Sequence, residues 1–293
     1  MSGTVVALPE RGKPAVAIPH YESKETLIAA KNIHVRYGEK VVLRGVNVEI
    51  KNYVRPNSDI SQGQVIALLA PSGMGKTQLF RCIAGLQKPT EGEVLLTADN
   101  TPVKPGMVGV VPQNYPLFPW RTVLGNLKLA ARAKGLSRKD AHAEAMNMLA
   151  SFGLEHIAKS YPGEISGGQQ QRVAIGRQII SSKHFLLLDE PYSGLDCLAK
   201  NTLIRLLLEL SVRHEQETLI VTTHDIPSAI TMADRVLILG REYDGEGKPI
   251  PGAFVKYDYN LIEEGLAWQP DVTELPRFRE IVHHIEHDIF KTL

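Results

Sequence analysis

The apolar positions of this chain fall into short runs separated by polar segments that contain glycine. Short, mainly apolar runs lie at Val65–Ala70, Leu186–Leu188, Thr218–Thr223 and Arg235–Leu239. Runs of this length bounded by turn residues are typical of buried strands. From Leu27 to Ile50 the apolar positions alternate instead, and this alternation predicts the strands of a β subdomain.

Helical spacing occupies several stretches between these runs. Lys76–Ala84 reads as a helix that Gly85 ends, as glycine does at helix C-termini. Thr122–Gly135 predicts a second helix, and Ser137–Phe152 predicts a third, ended by Gly153. The side chains that define these helices are Leu79, Phe80, Ile83 and Ala84 in the first, Val123, Leu127 and Ala131 in the second, and the capping residues Ser137 and Asp140 in the third.

The two ends of the chain differ from its middle. Residues 1–26 are rich in proline and small residues without a strand or helix period, which predicts a loose N-terminal arm. Residues 241–293 begin polar and rich in glycine and proline and end in a helix-like segment, and we expect Ile281, Ile285 and Ile289 to hold this extension on the core. His283 and His287 lie four apart there, so they form either a solvated helix face or part of a metal site.

Composition narrows the function classes. The chain has 33 Lys and Arg residues and 32 Asp and Glu residues. Because these charges nearly balance, there is no strong positive electrostatic field that would favour nucleic acid as a partner. The longest apolar runs hold about six residues, against roughly twenty needed to cross a bilayer. Glu10 and Arg11 interrupt any signal-peptide pattern at the N-terminus. Cys82 and Cys197 form no disulfide framework and fit reduced thiols in a cytosol.

A phosphate site is predicted where the run Val65–Ala70 passes into the first helix. Between them lie Pro71, Ser72, Gly73, Met74 and Gly75, which cannot easily continue a strand. Backbone N–H groups and the helix dipole converge at such a turn and favour an anion. Lys76 would then reach the β- and γ-phosphates and Thr77 would bind Mg²⁺, whereas the plainer interpretation is an ordinary strand-to-helix turn.

One position departs from the phosphate-loop pattern. Ala70 stands where the pattern G-x-x-x-x-G-K-[ST] has its first glycine. A Cβ largely excludes positive φ, so we expect a negative φ at Ala70 and an intact phosphate cradle.

Two further stretches complete the predicted chemistry. Asp189 and Glu190 end the apolar strand Leu186–Leu188, where one carboxylate can hold Mg²⁺ and the other can act as general base toward water. Ser166 and Gln169 have capping-box spacing, yet two glycines follow Ser166 and are poor helix formers. Glycines at this helix start would let the γ-phosphate approach the bare backbone, on the side of the phosphate opposite the loop 71–75.

In this combination and order the motifs resemble those of ATP-binding subunits of ABC transporters, from about Leu27 to about Gly240. The resemblance implies an α/β P-loop NTPase fold of the ABC type, with an antiparallel β subdomain and a helical subdomain at about residues 114–180. The helical subdomain carries the family's signature sequence, here Ile165–Gln169. It implies that Glu190, His224 and Gln113 are catalytic and that Thr77, Gln113 and Asp189 hold Mg²⁺. The residues implied to bind ATP are Tyr37, Pro71, Ser72, Gly73, Met74, Gly75, Lys76, Thr77, Gln78, Ser166, Gly167, Gly168, Gln169 and Asp196.

The same resemblance implies a setting for the chain. Two copies would close head to tail on two ATP·Mg²⁺, on the cytoplasmic face of an inner membrane, against permease subunits served by a solute-binding protein. The stretch Leu117–Leu127 resembles the nitrate, sulfonate, taurine and bicarbonate importers, although Trp120 could equally be a packing aromatic. The segment between the predicted strands is longer here than is usual in this family, and we expect about ten residues, 52–61, to form an inserted loop.

Three other classes compete with a transporter ATPase. Non-transport ABC ATPases resemble paired cassettes or a cassette split by a coiled coil, whereas this chain has one signature and no heptads before it. The signature argues against a P-loop kinase. The presence of Lys76, Glu190 and His224 argues against an inactive regulatory subunit.

Overall fold

A computed structural model of the protein describes residues 21–54, 61–97, 100–181, 185–213, 218–269 and 271–293. Most of residues 1–26 and part of the predicted insert 52–61 lie outside these ranges. Within them, no helix is long and apolar enough to cross a membrane. Cys82 is buried, Cys197 is exposed, and both are free thiols.

The central sheet has six strands in the order β11-β10-β4-β9-β8-β7. Neighbouring strands from β10 to β7 are parallel, and β11 runs antiparallel to β10. Every residue of β4 is buried, because helices and the second sheet cover both faces of this strand. The strands are β4 (Val65–Leu69), β7 (Gly109–Val111), β8 (Phe185–Asp189), β9 (Thr218–Thr223), β10 (Arg235–Gly240) and β11 (Phe254–Asn260).

A second, antiparallel sheet has the order β3-β2-β1-β5-β6. Its long ribbon of β1 and β2 confirms the predicted β subdomain: buried and exposed positions alternate along part of β2, whereas β1 has a continuous buried run at residues 27–30. The strands are β1 (Glu22–Tyr37), β2 (Lys40–Val54), β3 (Ser61–Gln62), β5 (Glu91–Leu96) and β6 (Thr101–Pro102).

Seven α-helices are found in the described ranges; the predicted cap at Ser137 is present, and Thr122 caps the preceding helix. Thr122 Oγ1 accepts a hydrogen bond from the Gly125 amide, and Ser137 Oγ accepts one from the Asp140 amide. The helices are α1 (Lys76–Ile83), α2 (Val123–Ala133), α3 (Arg138–Ser151), α4 (Gly167–Ser181), α5 (Cys197–Arg213), α6 (Ile226–Met232) and α7 (Pro276–His284), which continues as a π-turn over Ile285–Ile289.

The predicted loose arm and the predicted inserted loop both include residues that the structure places in strands. Strand β1 begins at Glu22, not at Leu27, and Tyr21 packs edge-on against Tyr53. Strand β2 continues through residues 52–54, and fully buried Asn52 donates from Nδ2 to Glu25 at 2.7 Å. The two segments therefore extend one antiparallel ribbon. Neither segment alone has a sequence pattern that predicts this pairing.

Strand pairing crosses the boundary predicted after Gly240. Strand β11 lies in the C-terminal extension and pairs with β10 from Arg235↔Asn260 to Gly240↔Phe254. The rest of the extension packs as expected, since Ile281, Ile285 and Ile289 are 3%, 0% and 2% exposed in the same hydrophobic cluster. The extension thus contributes a strand to the central sheet and also covers it.

Candidate functional site

The loop between β4 and α1 has the backbone of an anion site. Gly73 and Gly75 have φ of +82° and +87°, values that side-chain-bearing residues avoid. A Cβ on Gly75 would lie 2.8 Å from Leu43 Cδ2 and 3.1 Å from Val42 Cγ1. Glycine is therefore required at 75 both by conformation and by the β2 strand that lies against the loop.

Ala70 fits this loop without strain. It is not among the described non-glycine residues with positive φ, which confirms the negative φ expected from sequence. Its side chain is fully buried, and its carbonyl accepts a hydrogen bond of 2.6 Å from Lys76 Nζ. Met74 is also buried, in the hydrophobic cluster with Leu79 and Phe80, so only its backbone can face a phosphate.

Two carboxylates stand at the carboxyl end of β8, and Thr222 of the neighbouring strand β9 contacts the side chain of Asp189 and the backbone amide of Glu190. Thr222 Oγ1 donates to Asp189 Oδ1 at 2.5 Å, and the Glu190 amide donates to the Thr222 carbonyl at 2.9 Å. Glu190 has φ of +48°, an uncommon conformation for a residue with a side chain. The turn after β8 therefore directs the second carboxylate away from the strand, and backbone strain of this kind is concentrated at functional sites.

Glu190 joins two other predicted residues. Its Oε1 lies 3.5 Å from Lys76 Nζ, and its Oε2 lies 2.9 Å from His224 Nδ1. The side chains of Lys76 and Glu190 are only 13% and 16% exposed, so water screens this pair weakly, whereas His224 is 70% exposed. The phosphate-loop lysine, the second carboxylate and the histidine after β9 form one continuous polar chain.

Gln113 and Tyr115 flank the carboxylates from the segment after β7. Gln113 Nε2 donates to Ser193 Oγ at 3.2 Å, and Tyr115 OH donates to the Pro191 carbonyl at 3.2 Å. Burial, with smaller contributions from Asp189 and Glu190, raises the pKa of Tyr115 to about 12. Tyr115 therefore remains a neutral donor that fixes the turn after Glu190.

Lys76, Gln113, Asp189 and Glu190 open onto one cavity of about 430 Å³. Tyr37 stands at its rim, 52% exposed, and donates from its hydroxyl to Gln78 Oε1 at 2.7 Å. The cavity is lined by the predicted residues Tyr37, Pro71, Ser72, Gly73, Gly75, Lys76, Thr77, Gln78, Gln113, Asp189 and Glu190, and also by Lys40, Val41, Val42 and Arg241.

The predicted signature lies outside this cavity. Ser166 and Gln169 form the expected capping box, with the Ser166 amide 2.9 Å from Gln169 Oε1 and the Gln169 amide 3.3 Å from Ser166 Oγ. Gly168 borders a separate hollow of about 100 Å³, and a Cβ on Gly167 would meet open space. Asp196 Oδ1 accepts from the Ala199 amide at 2.8 Å at the start of α5. One chain alone does not bring these residues to the cavity.

Comparison with known proteins identifies the family. The family model described as ABC transporter matches residues 54–193. The chain is 37% identical over 216 residues to aliphatic sulfonates import ATP-binding protein SsuB 2 of Rhizobium johnstonii, covering 72% of this chain and 78% of that protein. The chain belongs to the ABC transporter ATP-binding family.

Other relatives of this ABC ATPase add two points. The maltose/maltodextrin import ATP-binding protein MalK of Photorhabdus laumondii is 32% identical over 256 residues, which cover 85% of this chain but only 65% of MalK. A solved dimer of an ATP-binding cassette, in a post-hydrolysis state bound to ADP and Pi, has a TM-score of 0.63 and 29% identity, and covers 80% of this chain and 99% of that one. The ABC ATPase fold and ATP hydrolysis as the activity of the family are thereby confirmed.

The donor set around Glu190 suits the Mg²⁺ that this family's ATPases imply. A hydroxyl on Thr77, an amide on Gln113 and a carboxylate on Asp189 all line the cavity, and hard cations prefer such oxygen ligands. Among the described residues no group of three or more His, Cys, Asp or Glu could hold a metal ion. A single carboxylate fits Mg²⁺, which usually keeps several waters and binds the phosphates of its substrate.

Sequence reasoning missed four residues that line the cavity of this ABC ATPase. Lys40, Val41 and Val42 follow Tyr37 across the β1–β2 hairpin, so their place beside it could have been inferred from the hairpin register. Arg241 follows β10, whose position beside β4 depends on strand order. No local pattern signals that position.

Proposed function

We propose that this ABC ATPase hydrolyses ATP at two sites shared between two copies that associate head to tail. The cavity of one copy holds the adenine and the triphosphate of ATP. The Ser166 end of α4 in the other copy contacts the γ-phosphate. The observation that carries this proposal is the separation of the signature, beside its own small hollow, from the 430 Å³ cavity. The dimeric form of the solved cassette bound to ADP and Pi supports it.

Within each site the residues would take the following roles. Tyr37 stacks on adenine, the amides of the loop 71–75 and Lys76 bind the phosphates, and Asp196 contributes from the turn before α5. Glu190 accepts a proton from the attacking water as general base, since its carboxylate lies between Lys76 and His224 on the side of the proposed γ-phosphate. When bound, Mg²⁺ supplies positive charge to the phosphate oxygens, and Thr77, Gln113 and Asp189 would hold it.

The contact between Lys76 and Glu190 suggests that ATP binding precedes activation of the attacking water. The lysine faces the carboxylate at 3.5 Å, where a triphosphate would compete for the same positive charge. Substrate binding would therefore turn Lys76 toward phosphate and release Glu190 to face water. His224, hydrogen-bonded to the other carboxylate oxygen at 2.9 Å, keeps Glu190 oriented during that exchange.

We further propose that hydrolysis powers an importer of a small anion such as nitrate, a sulfonate, taurine or bicarbonate. Support comes from the stretch Leu117–Leu127 and from the sulfonate-import relative. Trp120 in that stretch is 70% exposed and so is not a core aromatic. It offers a contact to permease subunits at the cytoplasmic face of the inner membrane, and those subunits would receive solute from a solute-binding protein.

A second candidate function is import of a neutral sugar. The observation that favours it is the MalK relative, which aligns with 85% of this chain. In both cases the ATPase chemistry is the same, because the solute is chosen by the partners and not by this site.

Transport assays in the native host separate these candidates. The gene is deleted, the wild type or the Glu190→Gln variant is restored, and uptake of labelled taurine, nitrate, bicarbonate and maltose is followed. Anion uptake that only the wild type restores would support the proposal. Loss and recovery of maltose uptake alone would replace it with the sugar candidate.

A further inference from the structure

Arg241 is the one arginine on the wall of the nucleotide cavity, among the residues that the structure describes. It follows directly after β10, a parallel neighbour of β4 in which Ile238 stands opposite Leu69. Residue 241 therefore lies at the sheet edge where the phosphate loop leaves β4. The sequence motifs assign no role to this position.

The charge of Arg241 lacks a protein partner in the described part of the chain. Its Nε is buried and makes no hydrogen bond there, although the side chain as a whole is only partly buried. The neighbouring Arg44 also has a buried Nε without a partner, but its guanidinium pairs with Glu242 at 2.6 Å. The nearest acidic residue in sequence is therefore already engaged, and a buried donor without a partner needs an explanation.

Strand order indicates which end of a nucleotide Arg241 would meet. The order β10-β4-β9-β8 puts Arg241 on one side of the phosphate loop and Glu190 on the other. Glu190 is the proposed base, so the γ-phosphate lies on its side of the loop. The nucleotide must then run from Glu190 across Lys76 toward Tyr37, on the side of Arg241.

Backbone contacts fix Arg241 against this end of the cavity. In the β11 register Gly240 pairs with Phe254, so Ala253 lies next to Arg241 across the two strands. The Ala253 amide donates to the Val42 carbonyl at 2.9 Å, and Val42 lines the cavity close to Gly75. Arg241 therefore follows a junction where β10, β11 and β2 meet beside the phosphate loop.

We propose that Arg241 is a nucleotide-binding residue whose guanidinium donates to oxygens of the ribose and α-phosphate. The inference rests on the proposed ATP site. A planar guanidinium suits a phosphate better than an ammonium does, because it offers paired donors in a fixed geometry. A contact to the unreacting end of ATP stabilises the bound substrate and the transition state equally, so it lowers KM and leaves kcat unchanged.

The test measures binding by Arg241→Met, which keeps an aliphatic stem over the cavity wall and removes the donors. Titrations use AMP-PNP, ADP and, by displacement, AMP, since all three carry the ribose and α-phosphate. We expect Kd to rise about tenfold for each, the size of one lost charge-assisted hydrogen bond. KM for ATP should rise by a similar factor while kcat changes by less than about twofold.

Three further variants make the outcome decisive. Arg279→Met, on the exposed face of α7, is the matched control and should bind as the wild type does. Arg241→Lys should recover part of the affinity, and Lys76→Ala should lose most of it. Thermal melting without nucleotide should place Arg241→Met within about 2 °C of the wild type, since the side chain makes no protein hydrogen bond through Nε.

Each result has a distinct meaning. Unchanged Kd values for Arg241→Met in a wild type that binds nucleotide would overturn this inference alone. A loss confined to AMP-PNP would place Arg241 at the γ-phosphate and overturn the assignment to the α-phosphate end. A wild type that binds none of the three nucleotides would overturn the proposed function itself.

Discussion

Replacing Glu190 by glutamine tests the proposed base while keeping the size of the side chain. A positioned general base contributes about 10²–10⁴ in rate, or about 3–5 kcal/mol of barrier. We therefore expect the single-turnover rate of phosphate release at saturating MgATP to fall at least about 100-fold. Glutamine can still accept a hydrogen bond from His224, now 2.9 Å from the carboxylate, so the turn after β8 should persist.

The same substitution should not weaken ATP binding. Opposite charges 3.5 Å apart, as in Lys76 and Glu190, attract by about 5 kcal/mol at an effective dielectric constant of about 20 and by about 1 kcal/mol in water. That attraction competes with the triphosphate for Lys76, although solvation offsets much of it. Removing the carboxylate should leave Kd for ATP unchanged or lower it by up to about tenfold.

The assay pairs quenched-flow phosphate release with equilibrium titration and gel filtration in ATP. A trapped nucleotide-bound dimer is expected for Glu190→Gln. Glu144→Gln, on the exposed face of α3, is the matched control and should behave as the wild type. Turnover within about threefold of wild type would refute the role of Glu190, and a raised Kd would refute the competition for Lys76.

Three further outcomes are expected. Ala70→Gly should change the affinity for ATP by less than about 1 kcal/mol in a binding titration, because no positive φ is relieved, and a tenfold gain would contradict this. Ser166→Arg should abolish ATP-driven dimerisation in gel filtration while the monomer still binds ATP; dimers of normal yield would speak against the shared site. Burial alone would raise the pKa of Asp225, but hydrogen bonds from Lys200 and Ser228 lower it overall, so its stabilising effect is present above the unfolded pKa of about 4 and lost as pH falls through the folded value. Melting curves should therefore show Asp225→Asn less stable than the wild type at pH 7, with a gap that closes below about pH 4; a gap independent of pH would show that charge is not the cause.

The phosphate loop could be predicted because its chemistry is local in sequence. The strand, the glycines, the lysine and the helix follow each other within residues 65–84. One contiguous segment therefore supplies the whole backbone that binds an anion. The same holds for the carboxylates after β8 and for the capping box of α4. Each of these features depends on neighbours only a few residues away.

The parts that sequence missed depend on pairing between distant segments. Residues 22–25 are exposed polar positions of β1, so no apolar alternation marks them as a strand. They are ordered because β2 continues beside them, where Asn52 meets Glu25. Likewise Arg241 reaches the cavity only because β10 lies next to β4 in the sheet.

Strand β11 has a practical consequence for any shortened form of the protein. A chain cut after Gly240 would keep the motifs from Tyr37 to His224, yet β10 would lose its antiparallel partner and expose a row of free N–H and C=O groups. It would also uncover Val236 and Ile238, now fully buried against the extension. In the whole chain the outermost strand instead carries Lys256 and Asp258, charges that discourage strand addition by another molecule. The ATPase motifs alone would therefore make an aggregation-prone fragment, and the C-terminal extension replaces an apolar sheet edge with a charged one.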